Sequence, residues 1–185
     1  MYLITQTARQ HGFQRFRMET TMSQAENSIL SAVVRAEIDT WIAKYPPEFK
    51  QSAVMPALTI VQEANGGWLT TPLMDAVAAY LEMSPIAVYE VATFYSMYEH
   101  QPVGKHKICV CTNVSCMLCG SDEIVSHLQK RLGVGFGQVT PDGKFSLKEV
   151  ECLAACGNAP MFQIGKTYYE NLTPEKVDQI LDGLE

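Results

Sequence analysis

Cysteine is missing from the first 108 positions of this 185-residue chain; all six cysteines lie between Cys109 and Cys156. The N-terminus also lacks a secretory apolar core, so a disulfide framework has no oxidising compartment to support it. Clustered cysteines in a reducing compartment point instead to metal or redox chemistry. No apolar run approaches the roughly 18 residues that a membrane-spanning helix needs, so no direct membrane insertion is expected. Basic excess is absent too, with 14 Lys and Arg against 20 Asp and Glu and a formal charge of −6. Nucleic-acid binders displace counterions from phosphate with a basic surface, so no nucleic-acid partner is expected. No internal repeat or low-complexity segment occurs.

The first eighteen residues, MYLITQTARQHGFQRFRM, carry three arginines and no acid. They have the flavour of an organellar presequence, a disordered tail over 1–22 is the plainer expectation, and a third reading makes Met22 the biological start, with Ser23 opening the first ordered element. Ser23-Gln24-Ala25-Glu26 has the S-x-x-E form of a capping box and predicts a helix start. Ile29, Leu30, Val33, Val34, Ile38, Trp41 and Ile42 then form one stripe at helical period, ended by Tyr45-Pro46-Pro47. A second helix is predicted from near Phe49 to Asn65, stopped by Gly66-Gly67. Thr71-Pro72 and Ser84-Pro85 each read as a cap followed by proline and predict helices over 72–81 and 85–98. This pair could be mistaken for a helix-turn-helix DNA reader, but its second helix offers Glu90 and no arginine or lysine, so it is built to pack.

Residues 101–104 form a short linker and a candidate boundary between a helical bundle over 23–100 and a second domain over 105–185. Lys107 to Cys111 reads as a buried strand. Ser121 is placed to cap a helix bearing Ile124, Val125, Leu128 and Leu132, with Gly133 beyond its end. Phe145 to Leu147 and Met161 to Ile164 read as strands, and Thr173-Pro174-Glu175 caps a last helix. The fold class is therefore α+β, a helical bundle followed by a thioredoxin-like α/β outline.

Two cysteine pairs stand out: Cys111-x₄-Cys116 directly after a strand, and Cys152-x₃-Cys156 in ECLAACGNAP. Thiolates are soft ligands, and a [2Fe–2S] cluster takes two of them on each iron, so one pair per iron is the natural division. Ser115, Gly120, Ala154, Ala155, Gly157 and Asn158 are small enough to let backbone N–H groups approach the sulfurs. Structural zinc is a rival, because Cys116-x₂-Cys119 has a zinc-knuckle spacing. A thiol-disulfide oxidoreductase using Cys116 and Cys119 is another, since a C-x-x-C here sits between strand and helix. Cys109 shares a strand face with Cys111 and reads as a buried apolar thiol. The histidines, His11, His100, His106 and His127, have no ligand spacing and read as surface residues. Gly133-x-Gly135-x-Gly137 does not match G-x-G-x-x-G and reads as a loop, so no dinucleotide site is expected in this chain.

CTNVSCMLCGSDEI, EVECLAACGNAPM and the upstream ALTIVQEANGGWLTTPLMDAVAAYLEMSPIAVYEVATFYSMY together resemble the thioredoxin-like [2Fe–2S] ferredoxin family. The resemblance implies one [2Fe–2S] cluster held by Cys111, Cys116, Cys152 and Cys156, with no complete active site in this chain. It implies an electron-transfer subunit of NADH-quinone oxidoreductase, respiratory complex I, whose partner flavoprotein carries the NADH and FMN. The equivalent subunit of an NAD-reducing hydrogenase or NAD-dependent formate dehydrogenase is the alternative. The expected place is cytoplasmic, at the inner membrane face through the peripheral arm, rather than a mitochondrial matrix. Cys119 departs from the family pattern.

Overall fold

The computed structural model describes residues 29–184. The tail over 1–22 and the capping box at Ser23–Glu26 lie outside them. The first helix described in full, α1 (Ala32–Ile42), has Ser31 as its N-cap, whose Oγ accepts from the Val34 N–H at 3.3 Å. The stripe expected to run unbroken through Ile29 and Leu30 is therefore interrupted, because the Ser31 hydroxyl offers the backbone a cap where a helix would have continued. Val34, Ile38 and Ile42 pack inward at successive i+4 positions, whereas Val33 is 77% exposed and Trp41 lies at the surface. Neighbouring positions point about 100° apart, and an eleven-residue helix with one packed side buries only the narrower row.

Pro46 and Pro47 end α1, and a 3-10 segment (Pro47–Ala53) leads into α2 (Val54–Ala64). The expected single helix from Phe49 is thus divided, and Pro56 sits in the first turn of α2, where its missing N–H has no partner to lose. Gly66 and Gly67 turn the chain with φ of +73° and +94°. Helix α3 (Thr71–Leu81) is capped by Thr70 rather than Thr71, its hydroxyl accepting from the Leu73 N–H. Helix α4 (Pro85–Phe94) stops four residues short of the expected end. Its tail leaves Phe94, Tyr95 and Met97 exposed but buries Tyr98, whose phenol donates to the Met55 carbonyl at 2.9 Å.

The second half is a five-stranded sheet of order β2-β3-β1-β4-β5. Its strands are β1 (His106–Cys111), β2 (Gln138–Val139), β3 (Phe145–Val150), β4 (Phe162–Ile164) and β5 (Thr167–Tyr169). β1 runs parallel to β3 and antiparallel to β4. Strand alternation sends Ile108 and Val110 to one face, where they join Phe145, Leu147, Phe162 and Ile164 in one core. Helices α6 (Ser121–Leu132) and α7 (Pro174–Asp182) cover that face with Ile124, Leu128, Val177 and Leu181. Gly133 and Thr173 terminate and cap these helices as expected. Ser121 does not cap α6: Gly120, at φ +93°, takes the cap position, and Ser121 is fully buried with its hydroxyl unpartnered. The bundle and the sheet keep separate hydrophobic cores.

Candidate metal centre

β1 is the central strand, and its end is crossed by the connection between β3 and β4. The Cys111 N–H donates to the Met161 carbonyl at 3.3 Å and the Thr112 N–H to the Val150 carbonyl at 3.2 Å. Asn113 then accepts from the Val114 N–H at 2.8 Å and starts a short helix, α5 (Val114–Leu118). This helix is additional to the elements expected from the sequence, although an asparagine ahead of Val-Ser-Cys is a readable cap. One turn suffices to aim Cys116 inward at 1% exposure while Val114, Met117 and Leu118 face out.

Cys111 and Cys116 share a small buried cluster with Met161, and Leu153, Ala155 and Ala159 of the crossing connection pack against it. Both cysteine loops therefore meet at one end of the sheet. The Cys116 thiol is pushed up to about 11, first by burial and then by hydrogen bonding with Cys111, with Cys156 adding to the rise. Cys111 Sγ reaches the Glu151 carbonyl at 3.6 Å. Ala154 adopts a left-handed φ of +60°, and its N–H donates to Cys152 Sγ at 3.3 Å, the kind of backbone approach that small residues permit. Cys152 and Cys156 are exposed. Cys119, the C-cap of α5, is exposed and lies outside the packed group around Cys111 and Cys116.

The remaining expectations fare differently. Cys109 is half-buried, with burial raising its pKa, Lys107 and Lys148 lowering it, and Glu99 raising it, so its surroundings are charged rather than apolar. The described histidines are all half-buried rather than loose on the surface. His100 Nε2 lies 3.0 Å from the Ala92 carbonyl, His106 stacks near Phe145, and His127 pairs with Asp178 at 2.9 Å. Among the described residues no three His, Cys, Asp or Glu side chains converge on a single metal position. A diiron core needs two thiolates per iron rather than four donors about one atom. Two thiol pairs on facing loops, one buried and one open, fit such a group.

A sequence model of the thioredoxin-like [2Fe–2S] ferredoxins matches residues 38–185. The chain belongs to this family. Similar proteins include an NADH-quinone oxidoreductase subunit of Rickettsia bellii, 53% identical over 143 residues that cover 77% of this chain and 86% of the relative. The corresponding NADH-quinone oxidoreductase subunit of Rickettsia felis is 50% identical over 141 residues, covering 76% and 84%. Among solved structures, an air-oxidised NAD⁺-reducing [NiFe]-hydrogenase superposes with a TM-score of 0.59 at 18% identity. That match covers 69% of this chain and 22% of the hydrogenase chain. It speaks for the fold alone. No described helix is long and apolar enough to cross a membrane.

Proposed function

We propose that this chain is the electron-transfer subunit of an NADH-quinone oxidoreductase, holding one [2Fe–2S] cluster on Cys111, Cys116, Cys152 and Cys156. The observation that carries the reading is the meeting of two cysteine loops at one end of the sheet, in a chain of this family. When bound, the cluster supplies one-electron chemistry, and electrons are exchanged with the FMN of a partner flavoprotein that binds NADH. Cys111 and Cys116 hold the buried side and exclude water from it, while Cys152 and Cys156 close the open side. The thiols lose their protons when they take iron, and the Ala154 N–H then faces a thiolate at Cys152. The described residues up to 100 form the bundle and those from 105 onward the cluster-bearing domain, and the chain attaches to the inner membrane face only through its partners.

A thiol-disulfide enzyme would need an accessible, low-pKa thiol in Cys116-x₂-Cys119. Burial drives the Cys116 thiol the other way, and its contact is with Cys111. The test is anaerobic purification with iron and sulfide analysis and low-temperature EPR of the reduced protein. Equal iron and acid-labile sulfide with a rhombic reduced signal are expected, and Cys152→Ser should remove both along with the visible colour. Bound zinc without sulfide, or disulfide reductase activity that survives Cys152→Ser, would end this reading. A native pull-down that recovers an NADH-binding flavoprotein tests the partner, and recovery of a hydrogenase or formate dehydrogenase chain instead would reassign the complex.

A further inference from the structure

The segment 96–99, just beyond α4, is gripped from both halves of the molecule. On the bundle side, the buried amide of Gln62 accepts from the Glu99 N–H at 2.7 Å and donates to the Met97 carbonyl at 3.2 Å. The Leu69 N–H donates to the Glu99 carbonyl at 2.7 Å. On the sheet side, Lys148 Nζ lies 2.5 Å from both the Ser96 carbonyl and Glu99 Oε1, and Lys107 Nζ lies 3.0 Å from the same Oε1. The three charged side chains are only 16% to 26% exposed, so water screens them less than an ordinary surface pair.

The two lysines belong to the strands that end in the ligand loops. Lys148 is the register partner of Cys109, and Lys107, Cys109 and Cys111 alternate onto one face of β1. At about 3.3 Å per residue, Cys109 and Lys148 stand about 7 Å along the strand from Cys111. That backbone spacing is comparable to the screening length of about 8 Å at physiological salt, whereas Lys107 stands about 13 Å along the strand, so Lys148 is the nearer charge.

We propose that Lys107, Glu99 and Lys148 form a clamp that locks the helical bundle to the cluster-bearing sheet and sets the charge beside the cluster, with Glu99 as its positioning residue. The charge role rests on the cluster assignment above. Four thiolates around two irons carry negative charge that grows by one on reduction, so added positive charge nearby favours the reduced state. The closed clamp sums to one positive charge. Neutralising Glu99 raises it to two, neutralising Lys148 lowers it to zero, and doing both restores one.

The test compares the full chain with Glu99→Gln, Lys148→Met and the double variant. EPR-monitored redox titration at low salt should move the potential up for Glu99→Gln and down for Lys148→Met. The double variant should return toward wild type, and high salt should shrink both shifts. Shifts of one sign with the double variant displaced furthest, or no shifts, would overturn the charge role. Amide hydrogen exchange on cluster-free protein reads the lock separately. Both single variants should speed exchange across 96–99 and β3, with Lys148→Arg restoring protection, and unchanged exchange would overturn the lock. Wild-type protein lacking iron and sulfide would sink the cluster assignment and the charge role with it, while the exchange measurement still decides the lock.

Discussion

Gly104 lies where the chain passes from bundle to sheet, and a Cβ there would stand 2.4 Å from the backbone carbon of Phe145. Gly104→Ala therefore has to push β3 away from the linker. A loss of about 1–3 kcal/mol is expected, measured as a lower urea midpoint at unchanged slope. Cys119 makes the opposite case at the same scale. It is exposed and outside the buried cysteine group, so Cys119→Ser should leave iron content and the EPR signal of the reduced protein unchanged. A Cys119→Ser protein without iron would bring that residue into the ligand set. Spacing marked the cysteine-rich segments but left Cys116-x₂-Cys119 open beside the two pairs, and it is the family resemblance that proposes the set of four. The unpartnered hydroxyl of Ser121 could not be read from the sequence, since whether a serine caps or is entombed depends on the backbone angle of the residue before it.

Between elements, the joint of α1 with α3 includes the Tyr80 phenol donating to Asp39 Oδ1 at 2.6 Å. Burial first, then the Asp39 carboxylate, push the Tyr80 pKa up to about 12 from its ordinary 10.0. Tyr89, joined to Asp75 across α4 and α3, is also raised to about 12, chiefly by that hydrogen bond. A folded-state pKa above the unfolded one means the bonded neutral phenol stabilises the fold fully below about pH 10. That contribution fades as pH climbs through 12. Thermal unfolding followed from pH 9 to 12 should show this alkaline loss, and Tyr80→Phe should lower stability at pH 8 and remove its own share of the loss, leaving that of Tyr89. Inside the sheet core, Leu128 is fully buried on α6, and Leu128→Ala should cost about 2–5 kcal/mol in equilibrium unfolding. Helix positions were legible because proline, glycine and capping residues act locally, as at Gly133 and Thr173. At Thr70 and Gly120 neighbouring residues compete for one cap and packing selects between them, while the unexpected cap at Ser31, the 3-10 turn before α2 and the early end of α4 are further departures.

For the whole molecule, two separate cores joined by a thin seam leave the two cysteine loops resting on the end of one of them. The proposed cluster would tie 111–116 to 152–156, and a group that binds the folded state raises stability by mass action. Removing iron and sulfide should lower the melting temperature and speed amide exchange in those two loops, while exchange in α2 and α3 stays slow. Uniform loosening across the bundle would show that the two cores do not behave separately. The sequence by itself determined the α+β order and the types of its longer elements, because period and propensity are properties of neighbours along the chain, whereas the short β2, β5 and α5 carry too few residues to show a period. Tertiary structure alone decided that β1 lies at the centre of the sheet, that Cys116 is sealed while Cys119 is open, and that Glu99 meets Lys107 and Lys148. Those outcomes depend on residues far apart in sequence, brought together when strand pairing and core burial outweigh the entropy of closing the loops between them.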